Sequence, residues 1–274
     1  MSKNAMETRS FKQKLMKLVV VVCALSFSAI VLIPSSSAVS GEIVVNVISD
    51  DSDINPGDGI CQTDINEHCS LRAAIEEANS AVDLNTITFG IDNTNYSTMT
   101  IVLNSDLPAI TNALVIDGYT NNFEAKENLE ISPQAITSKL NIEIDARAAV
   151  TSVLNVQANS AEIHGISIFN CPLSGCINVD GDSVKILGNY VGLKANGEVA
   201  SNSESKTGIN ITGSLSQIGG LLPKERNIIS NNSNTQINIS GGTATKVQGN
   251  IIGAKPDGTV SKEFNNGKGV TLDG

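Results

Sequence analysis

The sequence predicts an all-β fold: a right-handed single-stranded parallel β-helix, or solenoid, with a short N-terminal capping helix. Three observations predict it. Strand-like triplets recur at fixed spacings, the apolar content is aliphatic (3% aromatic within 41% hydrophobic residues), and 30 Asn and 23 Gly punctuate the chain. In a coil stacked on copies of itself, each strand pairs with its equivalent one turn away. Like side chains then stack, and Ile, Val and Leu fill the interior without large rings. Asn and Gly are expected at the corners, where left-handed backbone angles cost other residues more.

Residues 1–40 read as a secretory signal peptide. Lys3, Arg9, Lys12, Lys14 and Lys17 precede an uncharged run from Leu18 to Ile33, and Pro34, Ser35, Ser36, Ser37 and Ala38 follow it. A basic start, an apolar middle and a small-residue end are the parts of an export signal. Two cuts fit, after Ala38 or after Ser40, and both discard Cys23. The apolar run is short for a membrane span, so cleavage is favoured over an uncleaved anchor. No transmembrane helix is expected after cleavage. The full chain carries 18 basic and 28 acidic residues; losing five basic groups and Glu7 takes the net charge from -10 to -14. Such a surface repels polyanions and excludes nucleic acid as a partner.

Residues 41–120 are expected to hold the N-terminal cap and first coils. The remaining cysteines form two tight pairs, Cys61 with Cys69 and Cys171 with Cys176. Three connectivities are open to four cysteines, and proximity favours the two local disulfides. A zinc site is the competing reading, but it wants closer spacing or clustered histidines, and the chain has only His68 and His164. Cys69 to Asn79 is the persuasive helix. Ser70 is a plausible N-cap, and Leu71, Ala74, Ile75 and Ala78 fall on one face. A solenoid's open first coil needs such a cover.

Residues 121–274 are expected to be β-helix repeats. Leu154 and Ile177, Ile163 and Ile186, and Gly165 and Gly188 are each 23 apart. A 61-residue repeat relates Gly188-Asn189-Tyr190-Val191-Gly192 to Gly249-Asn250-Ile251-Ile252-Gly253, and Gly208-Ile209 to Gly269-Val270. The triplets Ile177-Asn178-Val179, Ile209-Asn210-Ile211 and Ile237-Asn238-Ile239 alternate as half-buried strands do. The sequence ends within a coil, at Val270 to Gly274, and reads as a capped solenoid cut short.

These residues carry a resemblance. Asp58-Gly59-Ile60-Cys61, the run Cys69-Ser70-Leu71-Arg72-Ala73-Ala74-Ile75, Ala78-Asn79, Asn85 to Phe89 and Ile116-Asp117-Gly118 resemble the bacterial CSLREA domain, with Ala73 where Glu is usual. Arg226 to Asn232 and Gly249 to Gly253 are similar to repeats of secreted right-handed parallel β-helix proteins of the pectate-lyase-like superfamily. The resemblance covers 41–120 and 150–274. It implies export and the fold, and it implies proteins of the bacterial surface or medium, many of unknown activity and often C-terminally anchored.

Candidate chemistry is sparse. Asp51, Asp53, Asn55 and Asp58 offer oxygens at near-alternate positions, as calcium sites do, although Pro56 and Gln62 depart from an EF-hand. A solvated turn is the competing reading, and Ca2+ is the one cofactor suggested. Polysaccharide lyases of the resembled fold use an acidic cation site with an Arg or Lys base. Glu143, Asp145 and Arg147 share a strand face by period two, making Asp145 and Arg147 the catalytic candidates; a surface ion-pair ladder explains the trio more simply. His164-Gly165 reads as structural. The favoured function is a non-enzymatic exported scaffold for surface or extracellular adhesion or assembly, offering an acidic wall and the loops 193–207 and 254–268. The alternative is a carbohydrate-active β-helix: a polysaccharide lyase, a glycoside hydrolase or a glycan binder. Expected partners are polysaccharide or cell-surface components, and the expected location is extracellular or the cell surface, with the periplasm also open.

Overall fold

A computed structural model describes residues 41–81, 83–92, 98–120, 125–130, 136–149, 151–200, 205–260 and 267–273. The signal-peptide reading of residues 1–40 lies outside them, as do Tyr96, Phe123 and Phe264. The described chain is mostly β, with three sheets built of parallel strands, consistent with a parallel β-solenoid. Sheet A orders β1 (Glu42–Val45), β2 (Asn85–Phe89), β4 (Leu114–Asp117), β7 (Glu162–His164), β10 (Lys185–Leu187), β13 (Gln217–Gly219) and β16 (Lys246–Gln248). Sheet B orders β3 (Met99–Val102), β5 (Ile142–Asp145), β8 (Ile166–Phe169), β11 (Tyr190–Val191), β14 (Ile228–Ile229) and β17 (Ile251–Ile252). Sheet C orders β6 (Leu154–Val156), β9 (Ile177–Val179), β12 (Ser205–Ile211), β15 (Asn232–Ile239) and β18 (Lys268–Leu272). From β6 onward the chain visits C, A and B in strict rotation.

The 23-residue spacing is the strand register. Leu154 pairs with Ile177, and Ile163 with Ile186. The 61-residue spacing is two circuits of unequal length. In sheet B, 38 residues separate Tyr190 from its partner Ile228, and 23 separate Ile228 from Ile251. In sheet C the steps from Ile209 to Ile237 to Val270 are 28 and 33. Connections between strands absorb the difference, so the strands stay in register.

Register stacks the interior. One column in sheet A runs Ile43, Ile87, Ile116, Ile163, Ile186, Ile218, Val247. Ile87 through Ile218 are fully buried in it. Sheet B contributes Ile101, Ile144, Ile168, Val191, Ile229 and Ile252. Sheet C contributes Leu154, Ile177, Ile209, Ile237 and Val270. Each rung covers the apolar faces of the next, at about 25 cal/mol per Å2 removed from water.

Gly and Asn take left-handed angles at corners as expected: Gly165, Gly188, Gly219 and Gly249, at or just past the ends of sheet A strands, have φ of 64 to 76°, and Asn170 and Asn231, after sheet B strands, have φ of 60 to 61°. The corner that leads into sheet A is bent by other residues. Ser160, Ser183, Leu215 and Ala244, each two residues before a sheet A strand, hold φ of 60 to 61°. Their conformation is imposed by the stack: Ser160, Ser183 and Leu215 each donate their N–H to a carbonyl one circuit on, at 2.8 Å. Such bonds offset the roughly 1–2 kcal/mol that a non-glycine left-handed residue costs. Asparagine does other work where sheet A passes to sheet B. Asn189, Asn227 and Asn250 each donate Nδ2 to a carbonyl of the preceding circuit, at 2.7 to 2.8 Å. Their Oδ1 atoms accept the N–H of Ile166, Asn189 and Asn227 respectively.

The expected helix forms as α1 (Leu71–Ser80), with Ser70 accepting the Ala73 N–H at its N-cap. Leu71, Ala74, Ile75 and Ala78 are buried and continuous with the main core. Arg72 is buried too; its Nε and Nη2 donate to both oxygens of Asp50, and its guanidinium reaches the carbonyls of Ser105 and Asp106. Both expected disulfides are present, Cys61–Cys69 and Cys171–Cys176. By loop entropy each is worth about 2–3 kcal/mol.

Residues 193–200 pack on sheet B while leaving Asn196 and Glu198 exposed. Leu193, Ala195 and Ala200 are buried, and Leu193 and Ala195 join Leu140, Tyr190 and Ile228 in a second small core on the outer face of sheet B. Residues 201–204 and 261–266 of the expected loops lie outside the described residues.

Two stability outcomes are expected in urea denaturation. Ile186→Ala should cost about 2–5 kcal/mol, as a column void cannot collapse, whereas Lys185→Ala beside it should stay within about 0.5 kcal/mol. Arg72→Ala should cost about 3–5 kcal/mol, because the Asp50 charge remains buried without its partner.

Candidate functional site

The carboxylates of Glu143 and Asp145, singled out by sequence, are engaged in holding the chain together. On β5, Ile142 and Ile144 face inward while Glu143 and Asp145 face outward, yet both acids are buried under overlying segments. Glu143 accepts from Thr100 Oγ1 at 2.9 Å and from the Ala195 N–H at 2.8 Å, fastening residues 193–200 to sheet B. Asp145 accepts from Arg147 Nε at 2.9 Å and from Asn170 Nδ2 at 2.7 Å. Arg147 sits past the strand end with its side chain 64% exposed, so the structure joins Asp145 to Arg147 but keeps Glu143 apart. The hydrogen bond and charge of Asp145 raise the Arg147 pKa above its ordinary value.

The acidic loop is organised by α1. Glu77 accepts the N–H groups of Gly57 and Gly59 at 2.6 and 2.7 Å, and Glu76 accepts that of Asp53 at 2.7 Å. Asp53 in turn accepts the N–H groups of Asn55 and Gln62, and Asp58 that of Ile60. Asp51 is exposed. Asp51, Asp53, Asn55 and Asp58 therefore share one loop in which Asp53 and Asp58 fold the backbone. Among the described residues, no group of three or more His, Cys, Asp or Glu side chains is placed to hold a metal ion.

A cleft of about 220 Å3 lies on the outer face of sheet A, and sequence reading did not assemble it. Its floor is two outward columns: Glu162, Lys185 and Gln217 in one, His164 and Leu187 in the other. One wall is Tyr119 and Glu127, the other Lys224 and Glu225. Asn128 Nδ2 ties the walls by donating to the Pro223 carbonyl at 3.1 Å. Lys185 pairs with Glu162 at 3.2 Å and Lys224 with Glu127 at 3.6 Å, all four partly exposed. His164 Nδ1 is 3.6 Å from Asp117, one rung away. The 23-residue offset already aligned Glu162 with Lys185; nothing in it pointed to Glu127 or Lys224.

Tyr119 sets the cleft's edge. Its hydroxyl donates to the Gly188 carbonyl at 2.9 Å, and its ring lies against Gly165. A Cβ at Gly165 would come within 2.6 Å of that ring, and Gly165 has φ of +76°, so glycine is needed there for both room and conformation. Burial, then the nearby charges of Tyr190, Glu127 and Asp117, push the Tyr119 pKa well above the ordinary tyrosine value. Burial also raises that of Tyr190, against a hydrogen bond with Ser138.

These shifts give stability a high-pH limit. Both hydroxyls stay neutral in the fold while an unfolded tyrosine ionises near pH 10. Their contribution is intact below that value and lost as pH rises through the folded pKa, at about 1.4 kcal/mol per pH unit for each tyrosine. Melting temperature from about pH 8 to 12 should fall above pH 10, and less steeply in Tyr119→Phe; an unchanged slope would count against the assignment. Among the described residues, no helix is long and apolar enough to cross a membrane. No protein-family model matches the chain, and no curated protein matches it.

Proposed function

We propose that the chain is an exported bacterial scaffold of the CSLREA and pectate-lyase-like kind. In this reading the three sheets are the faces of a right-handed single-stranded parallel β-helix, α1 is its N-terminal cap, and the protein serves non-enzymatic adhesion or assembly at the cell surface or in the medium. One observation carries the reading: the buried acids Asp50, Glu77, Glu143 and Asp145 are spent on fastening segments to the stack. Two disulfides favour an oxidising compartment. Calcium at Asp51, Asp53, Asn55 and Asp58 would act, in this reading, to brace the loop beneath the cap.

A glycan-binding reading is favoured by one feature, the cleft in which the Tyr119 ring adjoins paired Lys and Glu side chains. Aromatic faces beside polar groups are suited to sugars.

Two measurements test the scaffold. The exported protein should begin at Val39 or Gly41 by intact mass, and retention of residues 1–40 would overturn the export reading. Incubation with acidic and neutral polysaccharides should release neither unsaturated uronate nor reducing ends. Turnover that Arg147→Ala abolishes would replace the scaffold with an enzyme.

A further inference from the structure

The cleft on sheet A mixes both signs of charge, unlike the acidic first part of the chain. After residue 40, residues 41–150 hold 18 acidic and 4 basic side chains, while residues 151–274 hold 9 of each, so the net -14 resides wholly in the first part. The cleft gathers three glutamates, Glu127, Glu162 and Glu225, with two lysines, Lys185 and Lys224. Glu225 accepts the Leu222 N–H, and each lysine has one glutamate partner. These pairs are about half exposed on the lysine side, where an ion pair contributes only about 0–1 kcal/mol and exchanges partners readily. A ligand of one sign would satisfy one member of each pair and strand the other. A ligand carrying both signs can insert into both pairs and leave no charge unmatched. Three glutamates against two lysines in the cleft disfavour a purely anionic visitor. Beside the charges, Leu187 on the floor and the Tyr119 ring on the wall give an apolar strip, and about 220 Å3 is room for a small molecule.

We infer that this cleft binds a small zwitterion, an α-amino acid with an apolar or aromatic side chain. Its carboxylate lies between Lys185 and Lys224, its ammonium against their partners Glu162 and Glu127, and its side chain on Leu187 and Tyr119. The inference goes beyond the scaffold reading and does not depend on it.

The test is isothermal titration of the purified protein with four probes: L-phenylalanine, N-acetyl-L-phenylalanine, which lacks the ammonium, L-phenylalanine methyl ester, which lacks the carboxylate, and a neutral glucose oligosaccharide. L-phenylalanine should bind saturably at one site, and each blocked analogue should bind about tenfold more weakly, the loss of one charge pair. Lys224→Met should weaken L-phenylalanine and erase its advantage over the methyl ester. Glu127→Gln should erase its advantage over the N-acetyl form. Both variants should melt within about 2 °C of the parent, since they alter one partly exposed pair. Absence of saturable binding, equal binding of all the phenylalanine probes, preference for the oligosaccharide, or variants that keep both discriminations would each overturn the proposal.

Discussion

In-register pairing of parallel strands is the constraint on which the rest of this structure depends. Because Ile163 meets Ile186 and Ile186 meets Ile218, an inward residue on one rung lies beneath an inward residue on the next. The same alignment carries outward residues into columns, which is how Glu162 and Lys185 come to pair. A slip of one residue would turn every aliphatic side chain outward and every charged one inward. The Asn189, Asn227 and Asn250 ladder reinforces the register from one corner, since each amide bridges the backbones of two circuits.

Register also explains where the chain can vary. Connections of very different length separate partners in sheet B, yet the strands they join stay aligned. The extra residues fold outward, and where they return to a sheet they bring their own apolar side chains. Leu193 and Ala195 do so on sheet B, fixed by Glu143 accepting the Ala195 N–H. Projecting segments around sheet A build the cleft in the same manner, with the stack as floor and the turns near Tyr119 and Lys224 as walls. A repetitive scaffold thus acquires an irregular, chemically mixed surface without disturbing its core.

Acidic residues divide by burial. Asp50, Glu77 and Asp145 are nearly inaccessible, and each is matched by a guanidinium or by N–H donors, because an unmatched charge there would be prohibitive. A count of carboxylates therefore overstates the acid available for catalysis or for a metal. Asp145 and Arg147 fit this pattern, as do the backbone-bound oxygens of Asp53 and Asp58.

Local and periodic features were legible in the residues alone: the helix begun by Ser70, the two disulfides, the 23-residue register and the triplets now stacked in sheet C. Each depends on neighbours in the chain or on a spacing that repeats along it. Only tertiary structure decided that the 61-residue spacing is two circuits, that Ser160, Ser183, Leu215 and Ala244 bend backward, and that residues 193–200 are packed. It also brought Tyr119 and Glu127 beside Lys224. The physical reason is common to all of these. A corner conformation is imposed by hydrogen bonds from the adjoining circuit, and a cleft wall is placed by a segment whose length follows no period. Pairing along the stack repeats and can be read from the sequence, whereas contacts made by the insertions do not repeat and are set by where each one lands.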